Sequence, residues 1–295
     1  MGHGLTPLGR LVGAALVGAA LAVPASANII DGTDDRDSLL VLGPQLGLSD
    51  DEIARIRKVS GYVGCFRPTP SLGSGALFLT NNQILTAGHV FFDPTTGLRR
   101  SNCFFKNQEE PFVQVDLVPE AARFGAVPPR PGSNYDFAIV PLVRPIEGAE
   151  PFPVAEDAPV RAGDKLIVVT AHPAGMEKEV PNEIPVVQPC TIRRVPVSTS
   201  ITSFYRSDCD ASGSSSGGMN LSRVDGELVY RGVTITTGLW RDPAMRGAPY
   251  DEKRGSVTTA LGTDAAVLKA AKELAIDNLF WAAGPRLISN PPPSQ

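Results

Sequence analysis

Histidine is scarce in this chain: of 295 residues, only His3, His89 and His172 carry an imidazole. Aromatic residues make up 6%, and there are four cysteines. Charge is nearly balanced, with 27 Lys and Arg against 31 Asp and Glu, for a formal net charge of -4. Each shortage excludes something. Nucleic-acid binding needs a basic face, and no excess of positive charge is present to build one. The cysteines form no C-x-x-C pair and the histidines lie away from them, so spacing offers no zinc site. Outside one N-terminal run, no stretch is long and apolar enough to span a bilayer. Few aromatics beside 29 glycines and 27 prolines favour short strands and many turns over a helical bundle. With 42% hydrophobic residues the chain can bury one large core or two moderate ones.

The N-terminal run has the layout of an export signal. Arg10 supplies positive charge, Leu11 to Val23 is apolar, and Ala25-Ser26-Ala27 is a small-x-small cleavage site. Residues 1–27 are therefore read as a signal peptide, with a mature chain that starts near Asn28 and is secreted or periplasmic. Residues 28–58 are read as an N-terminal arm or a propeptide. They open on an acidic cluster, Asp31, Asp34, Asp35 and Asp37, which leaves calcium open although no metal site is assigned. Ser49-Asp50-Asp51-Glu52 then has the form of a capping box, and Ile53 and Ile56 fall on one face of the short helix it would start.

Strand-like runs follow at short intervals: Gly61 to Phe66, Gly75 to Thr80, Gln83 to Thr86, Phe112 to Leu117 and Phe137 to Leu142. They continue with Lys165 to Thr170, Cys190 to Val197, Leu228 to Ile235 and Gly255 to Val257. β-Branched residues are frequent in them, and Gly, Pro, Asn and Asp clusters separate them. The pattern predicts an all-β, antiparallel sandwich or barrel. Pro145 to Pro159 reads as a linker, Thr263 to Ala275 as a helix capped by Thr263 or Asp264, and the last residues as a tail.

Three stretches carry chemistry. Asp208-Cys209-Asp210-Ala211-Ser212-Gly213-Ser214-Ser215-Ser216-Gly217-Gly218 packs small residues around a serine followed by glycines. Such a loop can expose a nucleophile and turn backbone N–H groups toward a developing oxyanion. Leu85-Thr86-Ala87-Gly88-His89-Val90 offers a general base, and Tyr135-Asp136-Phe137-Ala138-Ile139-Val140-Pro141 places an acid at the start of an apolar run. His172, in Val169-Thr170-Ala171-His172-Pro173-Ala174-Gly175, is the rival base, but it sits in what reads as a turn after a strand.

In this order the stretches resemble the trypsin-like serine proteases. T-A-G-H-V around His89 is similar to the family's T-A-A-H-C, D-F-A-I-V from Asp136 to its D-x-A-L-[LIV], and S-S-G-G from Ser215 to its D-S-G-G-P. Within the family the chain looks closest to the bacterial glutamyl endopeptidase-like branch, on Ile30 to Arg36 and the C-D-A-S that opens the serine loop. The resemblance implies two six-stranded antiparallel β-barrels with the active site between them and a C-terminal helix. It places the protease domain at residues 59–284, the barrel crossover near 145–160 and the tail at 285–295.

The implied function is a secreted serine endopeptidase with His89, Asp136 and Ser216 as its triad. The alternative is a catalytically impaired protease-fold protein with a binding or regulatory role. The oxyanion hole would be the N–H groups of Ser214 and Ser216. Two departures bear on it: Ser214 stands where the family has glycine, and Met219 where it has proline. Asp210, Thr234 and Thr236 are the expected substrate-binding residues. Four cysteines allow three pairings. Cys65–Cys103 is expected to close the loop carrying His89, and Cys190–Cys209 to tether the serine loop. The family's activation switch, a freed N-terminus pairing with an acid beside the serine, looks absent because Ser215 holds that position. No cofactor is implied. The expected partner is a protein or peptide substrate, with no nucleic acid, no membrane after signal removal, and a monomeric state.

Overall fold

A computed structural model describes residues 27–282, apart from 156–158, 177, 197–202, 239–244 and 246. The expected export signal, save Ala27, and the expected tail at 285–295 lie outside the described residues. The chain opens with β1 (Asp37–Ser38), α1 (Leu39–Gln45) and α2 (Asp50–Val59). A first antiparallel sheet follows, built from β2 (Ser60–Arg67), β3 (Ser71–Phe78), β4 (Thr80–Ala87), β5 (Ser101–Asn107), β6 (Gln114–Asp116), β7 (Arg123–Phe124) and β8 (Phe137–Pro141). Its strand order is β6-β5-β2-β3-β4-β8-β7. The second sheet contains β9 (Lys165–Thr170), β10 (Val186–Arg194), β11 (Phe204–Ser207), β12 (Met219–Val224), β13 (Glu227–Thr237) and β14 (Thr258–Gly262), and α3 (Ala265–Ala282) ends the described chain.

The second sheet closes on itself, because β9 pairs with both β10 and β12. Closure removes the exposed edges that an open sheet would present. β1 adds to the part of β10 that β11 leaves free, through Asp37 opposite Val187 and Ser38 opposite Val186. The first sheet curls without full closure. Its outer strands β6 and β7 are too short, and a bridge between Leu117 and Leu142 returns the chain beyond β6 to the end of β8. The fold is thus the expected two-barrel one, with one barrel closed and the other nearly so.

Some expected elements moved. The run at Phe112 to Leu117 shrinks to β6, and the strand expected at Gly255 to Val257 begins later, as β14. β1, β5, β7, β11 and β12 were not foreseen, and β11 and β12 show why. Each interrupts its apolar positions with polar ones, such as Arg206 and Asn220, and those polar groups find partners only in the folded barrel, as Asn220 does with the Tyr205 hydroxyl at 2.7 Å.

An apolar core is shared by both barrels, and a separate cluster with Leu166, Val168, Ile192 and Tyr205 belongs to the second alone. Val63, Leu77, Ile84, Phe105 and Ile139 from the first join Val169, Leu221, Tyr230, Val233 and Leu261 from the second. Phe78 meets Tyr230 edge to face across the boundary, with ring centroids 5.2 Å apart. Cys65–Cys103 and Cys190–Cys209 are both bonded, one staple per barrel. Ser49 and Glu52 form the capping box that starts α2. Its Ile53, Ile56 and Val59 enter the shared core, while Arg55 donates to the carbonyls of Glu150 and Pro151 in the crossover. Asp264 caps α3 by accepting from the N–H groups of Ala266 and Val267, and Val267, Ala271 and Leu274 pack inward. Among the described residues no helix is long and apolar enough to cross a membrane.

Residues 37–59 therefore supply core rather than decorating it. Ile56 is fully buried, and Ile56→Ala should lower unfolding free energy by about 2–4 kcal/mol in urea titration. A much smaller loss would mean that α2 rests on the barrels without completing their core.

Candidate active site

The pairing of β4 with β8 creates the first half of the site. Ala87 lies opposite Phe137 at the ends of these strands, so the residues just beyond them are forced together. His89 follows β4 in a single 3-10 turn, Gly88–Phe91, and Asp136 immediately precedes β8. Asp136 is fully buried. Its Oδ1 accepts the His89 N–H at 2.8 Å, and its Oδ2 accepts the Gly132 N–H at 2.8 Å and faces His89 Nδ1 at 2.8 Å. A buried carboxylate with donors on both oxygens can stay charged. Facing Nδ1, it favours the imidazole tautomer with the proton on that nitrogen and the lone pair on Nε2.

That hydroxyl comes from the second barrel. Ser216 lies in the loop between β11 and β12, and its Oγ is 3.0 Å from His89 Nε2. The loop is drawn onto β3 by the Ser74 N–H, which donates to the Ser216 carbonyl at 2.7 Å. Gly217 makes this approach possible. Its φ is +89°, and a Cβ there would stand 1.8 Å from the Ser74 carbonyl oxygen. The Gly217 N–H then donates to the Thr234 carbonyl and the Thr234 N–H to the Gly218 carbonyl, at 2.7 and 2.9 Å.

Ser74 was not anticipated from sequence. Its Oγ donates to the Ser214 carbonyl at 2.8 Å and accepts the Ala171 N–H at 2.9 Å, so one side chain ties both barrels to the serine loop. The only local signal was a small polar residue between Gly73 and Gly75. Ser214 adopts φ +68°, a left-handed conformation that a side chain normally opposes. The N–H groups of Ser214 and Ser216 take no partner among the described residues.

Two expected substrate residues are placed otherwise. Asp210 is 3% exposed, with both oxygens taken by the N-terminal arm: Ile30 N–H donates to Oδ1 at 2.8 Å and Asp35 N–H to Oδ2 at 2.9 Å. It is therefore a clamp for the arm and not a receptor for a substrate cation. Thr234 is buried too, and its hydroxyl donates to Asn220 Oδ1 at 3.0 Å. Its backbone, not its side chain, serves the serine loop. Thr236 stays half-buried against Gly132, beside the loop that holds Asp136. His172 is buried with Nε2 3.0 Å from the Val180 carbonyl, far in role from the imidazole at His89. A cavity of about 1070 Å³ lies between the arm and β9, β10 and β12, with Ile30, Asp35, Leu166 and Arg223 among its walls and none of His89, Asp136 or Ser216.

Burial pushes the Asp210 carboxyl up to about 6, against the lowering pull of the Ile30 and Asp35 N–H groups. Between about pH 4 and 6 the folded chain then keeps a proton that the unfolded chain has released. Rising pH through that window should weaken folding, by at most about 3 kcal/mol, and Asp210→Asn should flatten this part of the profile in denaturant titrations at stepped pH. An unchanged profile in Asp210→Asn would show that Asp210 is not the titrating group.

No curated protein matches the sequence. Among solved structures, a Glu endopeptidase determined in complex with MPD superposes with a TM-score of 0.57 at 13% identity, over 83% of this chain and 98% of its own. The thermostable serine protease AL20 from an extremophilic microorganism gives 0.55 at 14% identity, over 75% and 99%. The scabies mite inactivated protease paralogue S-I1 gives 0.51 at 14% identity, over 78% and 96%. At these identities the likeness is one of fold. The family model of the trypsin-like peptidase domain matches residues 73–229, more than half of the chain. With its two barrels and the serine loop docked between them, the chain belongs to the trypsin-like peptidase domain family.

Proposed function

We propose that this protein is a serine endopeptidase that works outside the cytoplasm. The observation that carries the reading is the continuous chain of contacts from buried Asp136 through His89 to the Ser216 hydroxyl. In this mechanism His89 Nε2 takes the Ser216 proton as Oγ attacks a peptide carbonyl. The negative oxygen of the tetrahedral intermediate is held by the N–H groups of Ser214 and Ser216. His89 then protonates the leaving amine, and the acyl-enzyme is released by a water that His89 activates in turn. Asp136 holds the imidazole and stabilises its cation and is not itself protonated.

The compartment reading draws on the signal-like N-terminus and on two disulfides, which persist in oxidising surroundings. In this reading the arm from Asn28 stays with the mature, monomeric chain, because its residues clamp the serine loop and fill the core. Specificity follows from what the acids are doing. With Asp210 committed to the arm, the pocket has no carboxylate from that position for Lys or Arg, and Thr236 beside Thr237 narrows the cleft. Small or neutral side chains fit best before the cut.

A second reading keeps the fold for binding alone. Ser214 at positive φ favours it, since a side chain in the oxyanion turn carries strain. The inactivated mite paralogue illustrates that this fold can outlive its activity.

Labelling with a fluorescent fluorophosphonate separates the two readings. Ser216 should be modified, the label should vanish in Ser216→Ala, and that variant should lose kcat by roughly 10⁵–10⁶-fold. Folded, disulfide-bonded protein that takes no label would favour the binding reading. In a peptide-library digest the cleavage profile should show no preference for Lys or Arg before the cut, and a dominant basic preference would return Asp210 to the pocket.

A further inference from the structure

The N-terminal arm grips consecutive residues of the serine loop. Asn28 and Ala211 exchange main-chain hydrogen bonds at 2.6 and 3.1 Å. Asp210 receives the Ile30 and Asp35 N–H groups. Arg36 Nη1 donates to the Ser212 hydroxyl at 2.8 Å. The rest of that guanidinium is held as a fork by Asp34, through Nε to Oδ1 at 2.8 Å and Nη2 to Oδ2 at 2.7 Å. The Arg36 side chain is 2% exposed, and the next residues, Asp37 and Ser38, are fastened to β10 as β1. Arg36 is thus a rigid strut between β10 and Ser212.

Ser212 opens the turn on which the chemistry depends. Its N–H donates to Ser215 Oγ at 3.1 Å, and its carbonyl accepts the Ser215 N–H at 3.1 Å. This closed turn contains Ser214 in its left-handed conformation and leads directly into Ser216. The Arg36–Asp34 pair, with its guanidinium buried and its carboxylate 38% exposed, adds little stability of its own. What it does supply is a fixed donor direction, because the guanidinium plane is set by Asp34 before it reaches Ser212.

We propose that Arg36, oriented by Asp34, is a positioning residue for the oxyanion turn, so that the arm from Asn28 to Ser38 acts as a built-in activator of the serine loop. The inference rests on the proteolytic reading above. In this chain Ser215 is spent inside the turn and offers no charge for an outside group to grip. The arm holds the loop from Asp210, Ala211 and Ser212 instead.

The test compares Arg36→Ala and Ser212→Ala with the native mature chain. Ser212→Ala removes only the hydroxyl that Arg36 grips, and it stands in if Arg36→Ala fails to fold. Steady-state kinetics on a peptide amide, affinity for a peptidyl trifluoromethyl ketone and amide hydrogen exchange of the peptide spanning residues 209–218 are measured on each. Arg36→Ala should lower kcat by about 10- to 100-fold, at or below the loss of one oxyanion donor, and weaken the ketone in parallel while KM holds. Ser212→Ala should do the same to a smaller degree. Added guanidinium ion should restore part of kcat to Arg36→Ala and none to Ser212→Ala. Loop amides should exchange faster in both variants. Variants that melt earlier but keep kcat, ketone affinity and loop exchange would overturn the proposal and leave Arg36 a packing residue. If the native chain itself neither cleaves nor takes the fluorophosphonate, the proteolytic reading fails separately. Loop exchange then still decides: faster exchange upholds the strut, and unchanged exchange overturns it.

Discussion

The close passage of two main chains at Ser74 and Gly217 is the contact on which the site depends. A Cβ at residue 217 would lie far inside the van der Waals surface of the Ser74 carbonyl, so only glycine lets the serine loop settle on β3. Once it settles, Ser74 N–H takes the Ser216 carbonyl, Ser74 Oγ takes the Ser214 carbonyl, and Thr86 Oγ1 steadies the Ser74 carbonyl at 2.7 Å. Ser216 belongs to one barrel and His89 to the other. Their 3.0 Å approach is a consequence of this seam and could not be built from either barrel alone.

On the first-barrel side the governing constraint is electrostatic. Asp136 has no solvent to lean on, so its charge is paid for by the His89 and Gly132 N–H groups and the imidazole. Gly132 has φ +74°, and its missing side chain leaves room for Thr236, so the second barrel again reaches across to the acid's support. The register of β4 on β8 sets the rest. A slip of one residue would separate the ends at Ala87 and Phe137 and turn His89 away from Asp136.

These dependencies explain what could be read in the sequence. His89, Asp136 and Ser216 stand out because each lies in a short pattern whose chemistry is local: a small-residue turn after a strand, an acid opening an apolar run, a serine before two glycines. The capping box of α2 and the Asp264 cap of α3 are local as well. Asp210 and Thr234 went the other way for a shared reason. Their expected roles followed from the family resemblance, whereas their actual partners, Ile30, Asp35 and Asn220, come from elsewhere in the chain. Ser74 had no pattern to announce it, since its worth lies in three long-range contacts. β12 was hidden because its buried Asn220 is balanced by Tyr205 and Thr234, a match invisible until the strands are paired.

The N-terminal arm shows how far such non-local terms reach. Read alone, residues 28–38 are the acidic opening of an arm or a propeptide. In the fold, Asp34 is turned to Arg36, Asp35 lends its N–H to Asp210, and Asn28 sends its side chain to Thr237 Oγ1 at 2.5 Å. Asp31, Asp34 and Asp35 stay exposed, and the polar side chains the arm does bury at Asn28 and Arg36 find fixed partners in Thr237, Asp34 and Ser212. The loop gains as much as the arm does. A stretch as rich in serine and glycine as 212–218 has large conformational freedom to lose, and few apolar side chains of its own with which to offset that loss. Order has to be imposed from outside, by Gln188 on the Asp210 main chain, by Cys190 on Cys209 and by the arm on the three residues that follow. A nucleophile on so flexible a sequence can be held to a geometry only by neighbours that are themselves part of the core, and β1, running straight into buried Leu39, makes the arm one of them.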